Sequence, residues 1–351
     1  MSQIIHVGVV GLGKMGRVRL AALQEHPHLK PVACCDIDEA NLIAAPQELH
    51  RARDYRELLA RDLDAIFVCT PNRDTPQVVI QALTAGKHVF CEKPPGRTLD
   101  DIYAIIAEER RHDNAVLQFG FNHRYHPAVK EAKAIIDSGR LGEVLWVRGV
   151  YGKSGGAGFE QSWRSKKEVA GGGILLDQGI HMLDLFRYFG GEFDEIKSCV
   201  TRSHWKQTDV EDNAFALLRN SRDQRVAMLH SSSTHWRHTF LLDIFLSDGY
   251  VTINGIVTGT RSYGRETLIV GRRQAVDDRQ PLRNPREEMV SFDHDNSWQL
   301  ELDEFAGAIL SGRQVARGSS QDALRAMELV FKIYAADEQW SRSEGLSPCA
   351  V

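Results

Sequence analysis

Short apolar runs alternate with helical stretches through the first third of the chain. Alternating strands and helices predict a parallel sheet with right-handed crossovers. Ligands bind at the carboxyl ends of the strands in such sheets, so the residues that follow each strand become candidate site residues. The strand-like runs occupy 4–10, 31–35, 64–69, 87–91 and 115–119, and the helical stretches occupy 14–26, 76–85 and 98–112.

The pattern changes in the second half of the chain, where strand-like runs follow one another. Turn signals such as the Asn-Ser-Arg-Asp run at 220–223 separate them, and short strands joined by turns predict an antiparallel sheet. The charged, poorly periodic segment 260–290 is expected to be a loop or an irregular edge. The strand-like runs occupy 143–151, 193–202, 211–219, 224–232, 239–247 and 249–256, and helices are expected at 127–138, 174–189, 297–311 and 319–340.

A glycine-rich loop joins the first strand to the first helix. Gly11, Gly13 and Gly16 have GxGxxG spacing, with Lys14 and Met15 between them. Strand, loop and helix in this order are the context that a dinucleotide fingerprint requires. The glycines allow a tight turn, a close approach of the backbone to a pyrophosphate, and close packing of helix on strand. The motif alone also fits a glycine turn in some other α/β unit.

Asp36 strengthens the dinucleotide interpretation. It follows the second strand and lies about 20 residues after Gly16, where this fold places an acid that hydrogen-bonds the adenosine ribose. The alternative is a turn residue after the strand. An acid at this position repels a 2′-phosphate, and no Arg immediately follows it. We therefore predict NAD as the cofactor in preference to NADP.

The apolar helix expected at 174–189 carries one polar stripe. Asp177, His181 and Asp184 lie at positions i, i+4 and i+7 of that helix. Ionisable groups on a buried helix are expensive unless they are paired or face a wet cavity. The three glycines at 171–173 would let the backbone pass close to a ligand. A core histidine paired with Asp177 or Asp184 is the alternative to a catalytic site.

Composition and charge exclude several classes of function. The 351 residues suggest about two domains. The 43 Lys and Arg against 47 Asp and Glu give a net charge of -4, which offers no strong attraction to nucleic acid or anionic membrane. The sequence has neither a secretory signal nor a membrane-spanning run, and four of its six cysteines lie in apolar runs without a CxxC pair. We therefore expect a cytoplasmic protein without disulfides or a metal site.

Five segments, taken together and in this order, are specific enough to indicate a protein family. They are GLGKMG at 11–16, TPN at 70–72, AGKHVFCEKP at 85–94, GFNHRYHP at 120–127 and GGGILLDQGIHMLD at 171–184. With these segments the chain resembles the Gfo/Idh/MocA oxidoreductases, which include glucose–fructose oxidoreductase and inositol dehydrogenase. The resemblance implies an α/β protein with a Rossmann domain, which we place at 1–122, and an α/β domain with a large, open, mostly antiparallel sheet at 123–351. The terminal helices at 297–340 could pack back on the first domain.

The resemblance also implies site residues. Lys93, Asp177 and His181 would form the catalytic group, and the Lys93–Pro94 peptide bond would be cis. Thr75 departs from the family, because many members have a histidine at this place, so that histidine's contacts near the nicotinamide are not carried over. The expected cofactor-binding residues are Gly11, Gly13, Lys14, Met15, Gly16, Asp36, Thr70, Pro71, Asn72, Glu92 and Lys93, and the expected substrate-binding residues include Lys93, Asn122, Arg124, Asp177 and His181.

Two further segments have open interpretations. Trp163 and Arg164 lie in a long loop before the catalytic helix, and such loops usually carry function. Trp163 would offer an apolar face to a sugar ring, and Arg164 would bind a polar or anionic substituent. The alternative is a solvated basic loop. The run SSSTHWRH at 231–238 either lines a site or forms a subunit contact.

These features lead to one expected function and two alternatives. We expect an NAD-dependent dehydrogenase that oxidises a secondary hydroxyl of a sugar, a sugar derivative such as a nucleotide sugar, or a cyclitol. His181 would take the hydroxyl proton, Asp177 would orient the imidazole or hydrogen-bond the substrate, and Lys93 would polarise the oxygen. The alternatives are a redox-assisted glycosidase that recycles its NAD and a non-catalytic regulator that binds NAD and a sugar. The resemblance further implies a homodimer or homotetramer assembled through the C-terminal sheet.

Overall fold

The computed structural model describes residues 3–274 and 284–345. The strands are β1 (Ile5–Val10), β2 (Leu29–Cys35), β3 (His50–Ala52), β4 (Ala65–Val68), β5 (His88–Cys91), β6 (Leu117–Phe119), β7 (Val144–Ser154), β8 (Glu195–Thr201), β9 (Asn213–Arg219), β10 (Val226–Ser232), β11 (Thr234–Leu246), β12 (Gly249–Asn254), β13 (Glu266–Arg272) and β14 (Glu287–Phe292). The helices are α1 (Lys14–Glu25), α2 (Glu39–Ile43), α3 (Tyr55–Leu59), α4 (Thr75–Thr84), α5 (Leu99–Glu109), α6 (Pro127–Asp137), α7 (Lys167–Ala170), α8 (Ile180–Gly190), α9 (Ser297–Ser311), α10 (Ser320–Ala336) and α11 (Glu338–Glu344). Shorter turns are 3₁₀ at Asn122–Tyr125 and Trp163–Ser165, and π at Leu175–Gly179.

The first compact unit comprises Met1–Asn122, Ser162–Gly172 and Trp298–Met327. Its six strands form a parallel sheet in the order β3-β2-β1-β4-β5-β6. This is the strand order of the doubly wound dinucleotide-binding fold, and the order reverses between β1 and β4. All four residues of β4 are buried, as expected for a strand covered on both faces. The carboxyl ends of β1, β4 and β5 therefore mark the edge where a ligand would bind.

A helix from late in the chain completes the core of this unit. Phe67 of β4 and Phe90 of β5 stack with 4.8 Å between their ring centroids. Phe305 of α9 meets both rings edge-on, at 5.5 Å and 5.7 Å. Aromatic pairs in such geometries add about 0.5–1.5 kcal/mol beyond the burial of their area. The helix α9 is thus part of the hydrophobic core around the parallel sheet.

The second compact unit comprises His123–Gln161, Gly173–Ser297 and Glu328–Val351. Its eight strands form a sheet in the order β14-β13-β12-β11-β7-β10-β9-β8. Only the β7–β10 pair in this sheet is parallel. Helix α8 lies on one face, where Met182 and Phe186 fill the space beside Gly149. The parallel sheet followed by a mostly antiparallel one confirms the predicted fold class.

The expectation of a loop or irregular edge at 260–290 was wrong in part. This segment contains two regular strands, β13 and β14. In β14 the sequence EEMVSF shows no buried position, because it is the last strand of the sheet and pairs on one side only. Charged residues are common on such edge strands, since they discourage pairing with another chain. Residues 275–283 of the segment lie outside the described residues.

The ends of the expected helices also differ from the sequence pattern. The helix expected at 319–340 is two helices, because Asp337 interrupts it and accepts a hydrogen bond from the Trp340 backbone N–H at 2.9 Å. The helix expected at 174–189 begins with the π turn before α8. The hydrophobic pattern did not predict the short elements α2, β3 and α3. No helix in the described part of the chain is long and apolar enough to cross a bilayer.

Candidate active site

The glycine loop after β1 has the shape that a dinucleotide requires. Gly11 has a φ of +90°, and a Cβ there would lie 2.6 Å from the Cys69 carbonyl oxygen. A Cβ at Gly16 would lie 1.8 Å from the Gly11 oxygen, so helix and loop pack too closely for any side chain. A Cβ at Gly13 would meet nothing within 4 Å, so the space above the loop is open to a ligand. These are the three glycine roles of the fingerprint, and the loop fits a pyrophosphate.

Helix α1 presents its N-terminus at this loop. Gly13 is the N-cap of the helix, and Lys14 and Met15 are its first two residues. No side chain caps the backbone N–H groups of this first turn. The uncapped N–H groups and the positive end of the helix dipole favour an anion here. The residues present therefore fit the phosphates of a dinucleotide.

Asp36 lies at the end of β2 and holds the same loop. Its Oδ2 accepts a hydrogen bond from the Leu12 backbone N–H at 2.6 Å, and its Oδ1 accepts one from the Asp38 N–H at 2.8 Å. The next residue, Ile37, is 84% exposed. Arg53 donates to the Ile37 carbonyl at 3.3 Å and lies 3.6 Å from Glu39, so a cation that is distant in sequence contacts the segment that follows the acid.

The TPN segment lies at the end of β4. Thr70 Oγ1 is 2.9 Å from Thr75 Oγ1, and Thr75 also donates to the Thr70 and Pro71 carbonyls at 3.2 Å. Asn72 is buried, and its Nδ2 donates to the Ala170 carbonyl at 2.7 Å. The side chain of Asn72 thereby fixes helix α7 of the same unit.

The EKP segment lies at the end of β5, beside a buried charge cluster. Arg19 of α1 is fully buried and donates to Glu92 at 2.5 Å and to Glu301 of α9 at 2.6 Å. Its guanidinium also lies over the rings of Phe90 and Trp298, at 4.4 Å and 4.6 Å. This cluster fixes the backbone immediately before Lys93.

Lys93 itself is half-buried, and the Lys93–Pro94 peptide bond is cis, as the resemblance implied. Asn122, predicted as a substrate contact, is buried at the end of this unit. Trp163 and Arg164 pack on each other, because the Arg164 guanidinium lies 4.3 Å from the centroid of the Trp163 ring. One face of the indole is therefore covered by the neighbouring side chain.

In the second unit, the segment before α8 is capped by a buried carboxylate. Glu211 accepts hydrogen bonds from the backbone N–H of Gly173 at 2.7 Å and of Leu175 at 2.8 Å. The Tyr334 hydroxyl donates to the same carboxylate at 2.8 Å. Burial raises the pKa of Glu211 to about 7. A Cβ at Gly173 would lie 2.1 Å from the Glu211 carbonyl oxygen, which explains the glycine.

The π turn that follows carries Asp177 and Gln178. Asp177 Oδ2 accepts a hydrogen bond from Lys153 Nζ at 3.1 Å. Gln178 Nε2 donates to the Tyr263 hydroxyl at 3.1 Å. Burial is the main cause of the raised pKa of Tyr263, which is about 12. The two polar side chains of the turn are thus held by β7 and by the segment before β13.

His181 lies on the first turn of α8 and is buried. Its ring stacks on that of His123, with 3.8 Å between centroids and 19° between planes. His123 Nε2 is 3.1 Å from the Tyr151 hydroxyl, so the stacked pair continues into a polar contact with β7. The structure therefore brings His181 together with His123 and, through it, Tyr151.

Asp184 is paired with Arg124. The Arg124 guanidinium donates from Nε to Oδ2 at 2.8 Å and from Nη2 to Oδ1 at 2.6 Å, and both side chains are buried. A bidentate pair of this kind fixes both side chains. This pair fastens Arg124 to α8, and the predicted contact of Arg124 with substrate stays a prediction.

The comparisons with known proteins agree with this geometry. Residues 5–121 match the model of an oxidoreductase family with an NAD-binding Rossmann fold, and residues 129–252 match the GFO/IDH/MocA C-terminal domain. The uncharacterized oxidoreductase YrbE of Bacillus subtilis is 32% identical over 251 residues, which are 64% of this chain and 71% of that one. The chain belongs to the Gfo/Idh/MocA family.

Two further proteins are similar to this Gfo/Idh/MocA oxidoreductase. The myo-inositol 2-dehydrogenase of Thermotoga maritima is 27% identical over 275 residues, which are 76% of this chain and 78% of that one. The structure of a levoglucosan dehydrogenase in complex with NADH and levoglucosan superposes with a TM-score of 0.84 and 23% identity, covering 97% of this chain and 98% of that one. The family places the protein among NAD(P)-binding oxidoreductases that act on CH–OH groups of sugars and cyclitols.

Sequence reasoning missed several residues of this Gfo/Idh/MocA oxidoreductase. They are Lys153, His123, Tyr151, Tyr263 and Glu211, which surround the segment from Gly173 to His181. His123 stood inside the quoted GFNHRYHP segment and could have been chosen on that ground. Among the described residues, no group of three or more His, Cys, Asp or Glu could hold a metal ion.

Proposed function

We propose that the protein is an NAD-dependent dehydrogenase that oxidises a secondary hydroxyl of a sugar, a sugar derivative or a cyclitol. The observation that carries this proposal is the polar cluster on an otherwise apolar helical segment, in which Asp177 is paired with Lys153 and His181 is stacked on His123. Ionisable groups gathered in this way on an apolar, largely buried segment are candidates for a functional site. The glycine loop at Gly13 supports the cofactor assignment.

The catalytic roles follow from the chemistry of each side chain. His181 takes the proton of the reacting hydroxyl at an imidazole nitrogen, since imidazole accepts protons near neutral pH. Lys93 donates a hydrogen bond to the same oxygen and stabilises its developing negative charge. Asp177, fixed by Lys153, orients the substrate hydroxyl or the imidazole. NAD, when bound, supplies the acceptor for the hydride that leaves the carbon.

The cofactor would lie across the carboxyl ends of β1, β4 and β5. Gly11–Gly16, with Lys14 and Met15, would hold the pyrophosphate, and Asp36 would bind the adenosine ribose. Thr70, Pro71, Asn72, Glu92 and Lys93 would line the nicotinamide side. The carboxylate of Asp36 disfavours a 2′-phosphate, which supports NAD over NADP, although Arg53 stands nearby.

The substrate would be held by the second domain. We propose 1–122 as the cofactor domain and 123–351 as the substrate domain, with Asn122, Trp163 and Arg164 as additional substrate contacts. Arg124 is bound bidentately to Asp184 of α8. We therefore propose that Arg124 positions the helix that carries His181 and also binds the substrate. Its buried guanidinium is consistent with either role.

The uncovered face of the eight-stranded sheet supports self-association. Strand pairing places Trp146 opposite Val226 and Leu217 opposite Met228, and each of these side chains is exposed. Phe215 is exposed on the same strand as Leu217, two residues away. Contiguous exposed apolar patches mark interaction sites. We propose that two copies of the chain meet through this face, as a homodimer or as half of a homotetramer.

The cysteines are consistent with a reducing compartment. Cys34, Cys35 and Cys91 are buried free thiols in the first unit. Burial raises the pKa of Cys35 to about 12, so it stays an unreactive thiol. These thiols support a cytoplasmic location.

A substrate screen tests the proposal. The protein is incubated with NAD or NADP and a panel of free sugars, glycosides, sugar acids, nucleotide sugars and inositols, and the absorbance of the reduced cofactor is followed. We expect net NADH formation with one structural class of polyol. Glycoside cleavage without net NADH would favour the redox-assisted glycosidase. Binding of NAD and sugar without turnover of any panel member would favour the non-catalytic regulator. Either of these two results would overturn the proposed dehydrogenase.

A further inference from the structure

A bulge at the start of β11 carries an exposed tryptophan, Trp236. Thr234 pairs with Ser154 and Thr239 pairs with Gly152, so the four residues 235–238 of β11 stand opposite Lys153 alone on β7. The Arg237 carbonyl inside the bulge accepts hydrogen bonds from His235 Nδ1 at 2.5 Å and from Thr239 Oγ1 at 3.0 Å. Bulges redirect side chains and are frequent next to active sites.

One end of the bulge contacts the polar cluster around Asp177. The His238 ring lies 5.3 Å from the ring of Tyr263, which accepts a hydrogen bond from Gln178. Burial, followed by the positive charge of Lys153, lowers the pKa of His238. Lys153 is the residue that binds Asp177. This end of the bulge therefore contacts a residue that holds the π turn carrying Asp177.

The other end of the bulge presents Trp236, which is 62% exposed. Its indole meets the ring of His204 edge-on at 5.0 Å and that of Trp205 edge-on at 6.4 Å. An exposed tryptophan backed by two further rings offers a flat apolar surface to the solvent.

The rings behind Trp236 are held rigidly. Trp205 Nε1 donates to the Ser233 carbonyl at 3.1 Å. Its backbone N–H and that of His204 donate to the buried carboxylate of Asp212, at 3.0 Å and 2.6 Å. The Phe159 ring packs on Trp205 at 5.0 Å. A surface with this support loses little conformational entropy when a ligand binds.

A single strand connects the two ends. Tyr151, Lys153 and Gly155 alternate along β7 and its extension, so they face the same side of the sheet. Tyr151 contacts His123, Lys153 binds Asp177, and a Cβ at Gly155 would lie 2.4 Å from the Trp205 indole. Two strand residues span about 7 Å. The aromatic surface is thus about 7 Å along the strand from the residue that binds Asp177.

We propose that Trp236, supported by Trp205 and His204, forms a second subsite that binds a pyranose ring linked glycosidically to the sugar being oxidised. The apolar C–H face of a pyranose matches an exposed indole, while His204 and Arg237 offer polar partners to its hydroxyl groups. The proposal rests on the proposed function and narrows the substrate class to glycosides with a second ring.

Paired substrates test the subsite. Wild-type protein and Trp236→Ala are compared on methyl α- and β-D-glucosides and on maltose and cellobiose, with NAD. For the disaccharide that the wild type prefers, we expect Trp236→Ala to lower kcat/KM about tenfold, through KM. The value for the matching methyl glucoside should change less than about twofold, and Trp236→Phe should keep most of the disaccharide activity.

Controls separate this role from others. Trp146→Ala removes an exposed tryptophan from the uncovered sheet face and should leave the ratio of the two kcat/KM values unchanged. An equal loss on both substrates, no preference of the wild type for a disaccharide, or a change in assembled mass with Trp236→Ala would overturn the subsite. If no carbohydrate is oxidised, the proposed function fails, and titration of tryptophan fluorescence with the same sugars still tests the subsite.

Discussion

The imidazole rings of His123 and His181 are stacked, 3.8 Å apart between centroids. The contact connects the turn at Asn122–Tyr125 with α8, and His123 Nε2 is also 3.1 Å from the Tyr151 hydroxyl. The stack leaves the plane of the His181 ring little freedom to rotate. A base held in one orientation transfers a proton more efficiently than a rotating one.

Substitution of His123 should therefore reduce turnover through His181. We expect His123→Ala to lower kcat by about tenfold to a hundredfold with a smaller change in KM. His123→Phe keeps a ring against His181 and should retain more activity than His123→Ala. Steady-state kinetics of both variants measure the difference. Tyr151→Phe removes only the hydroxyl group that contacts His123. If His123→Ala is as active as the wild type, His123 does not position His181.

The proposed catalytic residues can be separated from cofactor binding. His181→Ala and Lys93→Ala should each lower kcat by about a hundredfold or more, because each removes a group that acts on the reacting oxygen. NAD affinity, measured by calorimetric titration, should stay close to that of the wild type for His181→Ala. Near-normal turnover in both variants would refute the mechanism.

The buried carboxylate of Glu211 should make stability depend on pH. Because burial raises its pKa from 4.5 to about 7, the folded protein keeps a proton that the unfolded chain has released between these pH values. This contribution to the free energy of unfolding is fully present below about pH 4.5 and is lost as the pH rises to about 7. The shift corresponds to about 3 kcal/mol.

Denaturant titrations between pH 4.5 and pH 8 test this dependence. Glu211→Gln should remove this part of the pH slope, because the amide does not titrate. Tyr334→Phe removes a hydrogen bond that favours the ionised form, so it should extend the loss of stability to higher pH. A Glu211→Gln protein with the wild-type slope would show that the carboxylate does not titrate in this range.

Cofactor preference should respond to Asp36 and Arg53. Replacing the acid in Asp36→Ser removes the repulsion of a 2′-phosphate and leaves the Arg53 guanidinium nearby. We expect the ratio of kcat/KM for NAD to that for NADP to fall by about tenfold or more. The double variant with Arg53→Ala should recover part of the preference for NAD. An unchanged ratio in Asp36→Ser would show that another group selects the cofactor.

The sequence predicted those features that depend on local chemistry. Gly11, Gly13 and Gly16 lie where their spacing requires them, and the alternation of strands and helices predicted the parallel sheet. The position of Asp36 at the end of β2 follows from the same local order. These features could be predicted because each needs only a few neighbouring residues.

Features that depend on distant partners could not be predicted. Lys153 reaches Asp177 of the π turn from strand β7, and Arg19 meets Glu301 across most of the chain. The periodicity of the segment containing Asp184 suggested a stripe shared with His181, but the bond from Arg124 gives that acid a different partner. β14 was missed because an edge strand does not need an apolar face.

The π turn at Leu175–Gly179 makes the arrangement sensitive to chain length. A π turn accommodates one residue more than an α-helical turn. If one residue were deleted there and the segment became α-helical, everything before the deletion would rotate by about 100° around the helix axis relative to α8. Asp177 would then leave Lys153 while His181 stayed on His123. The number of residues in this turn therefore sets the angle around the helix axis at which Asp177 stands relative to His181.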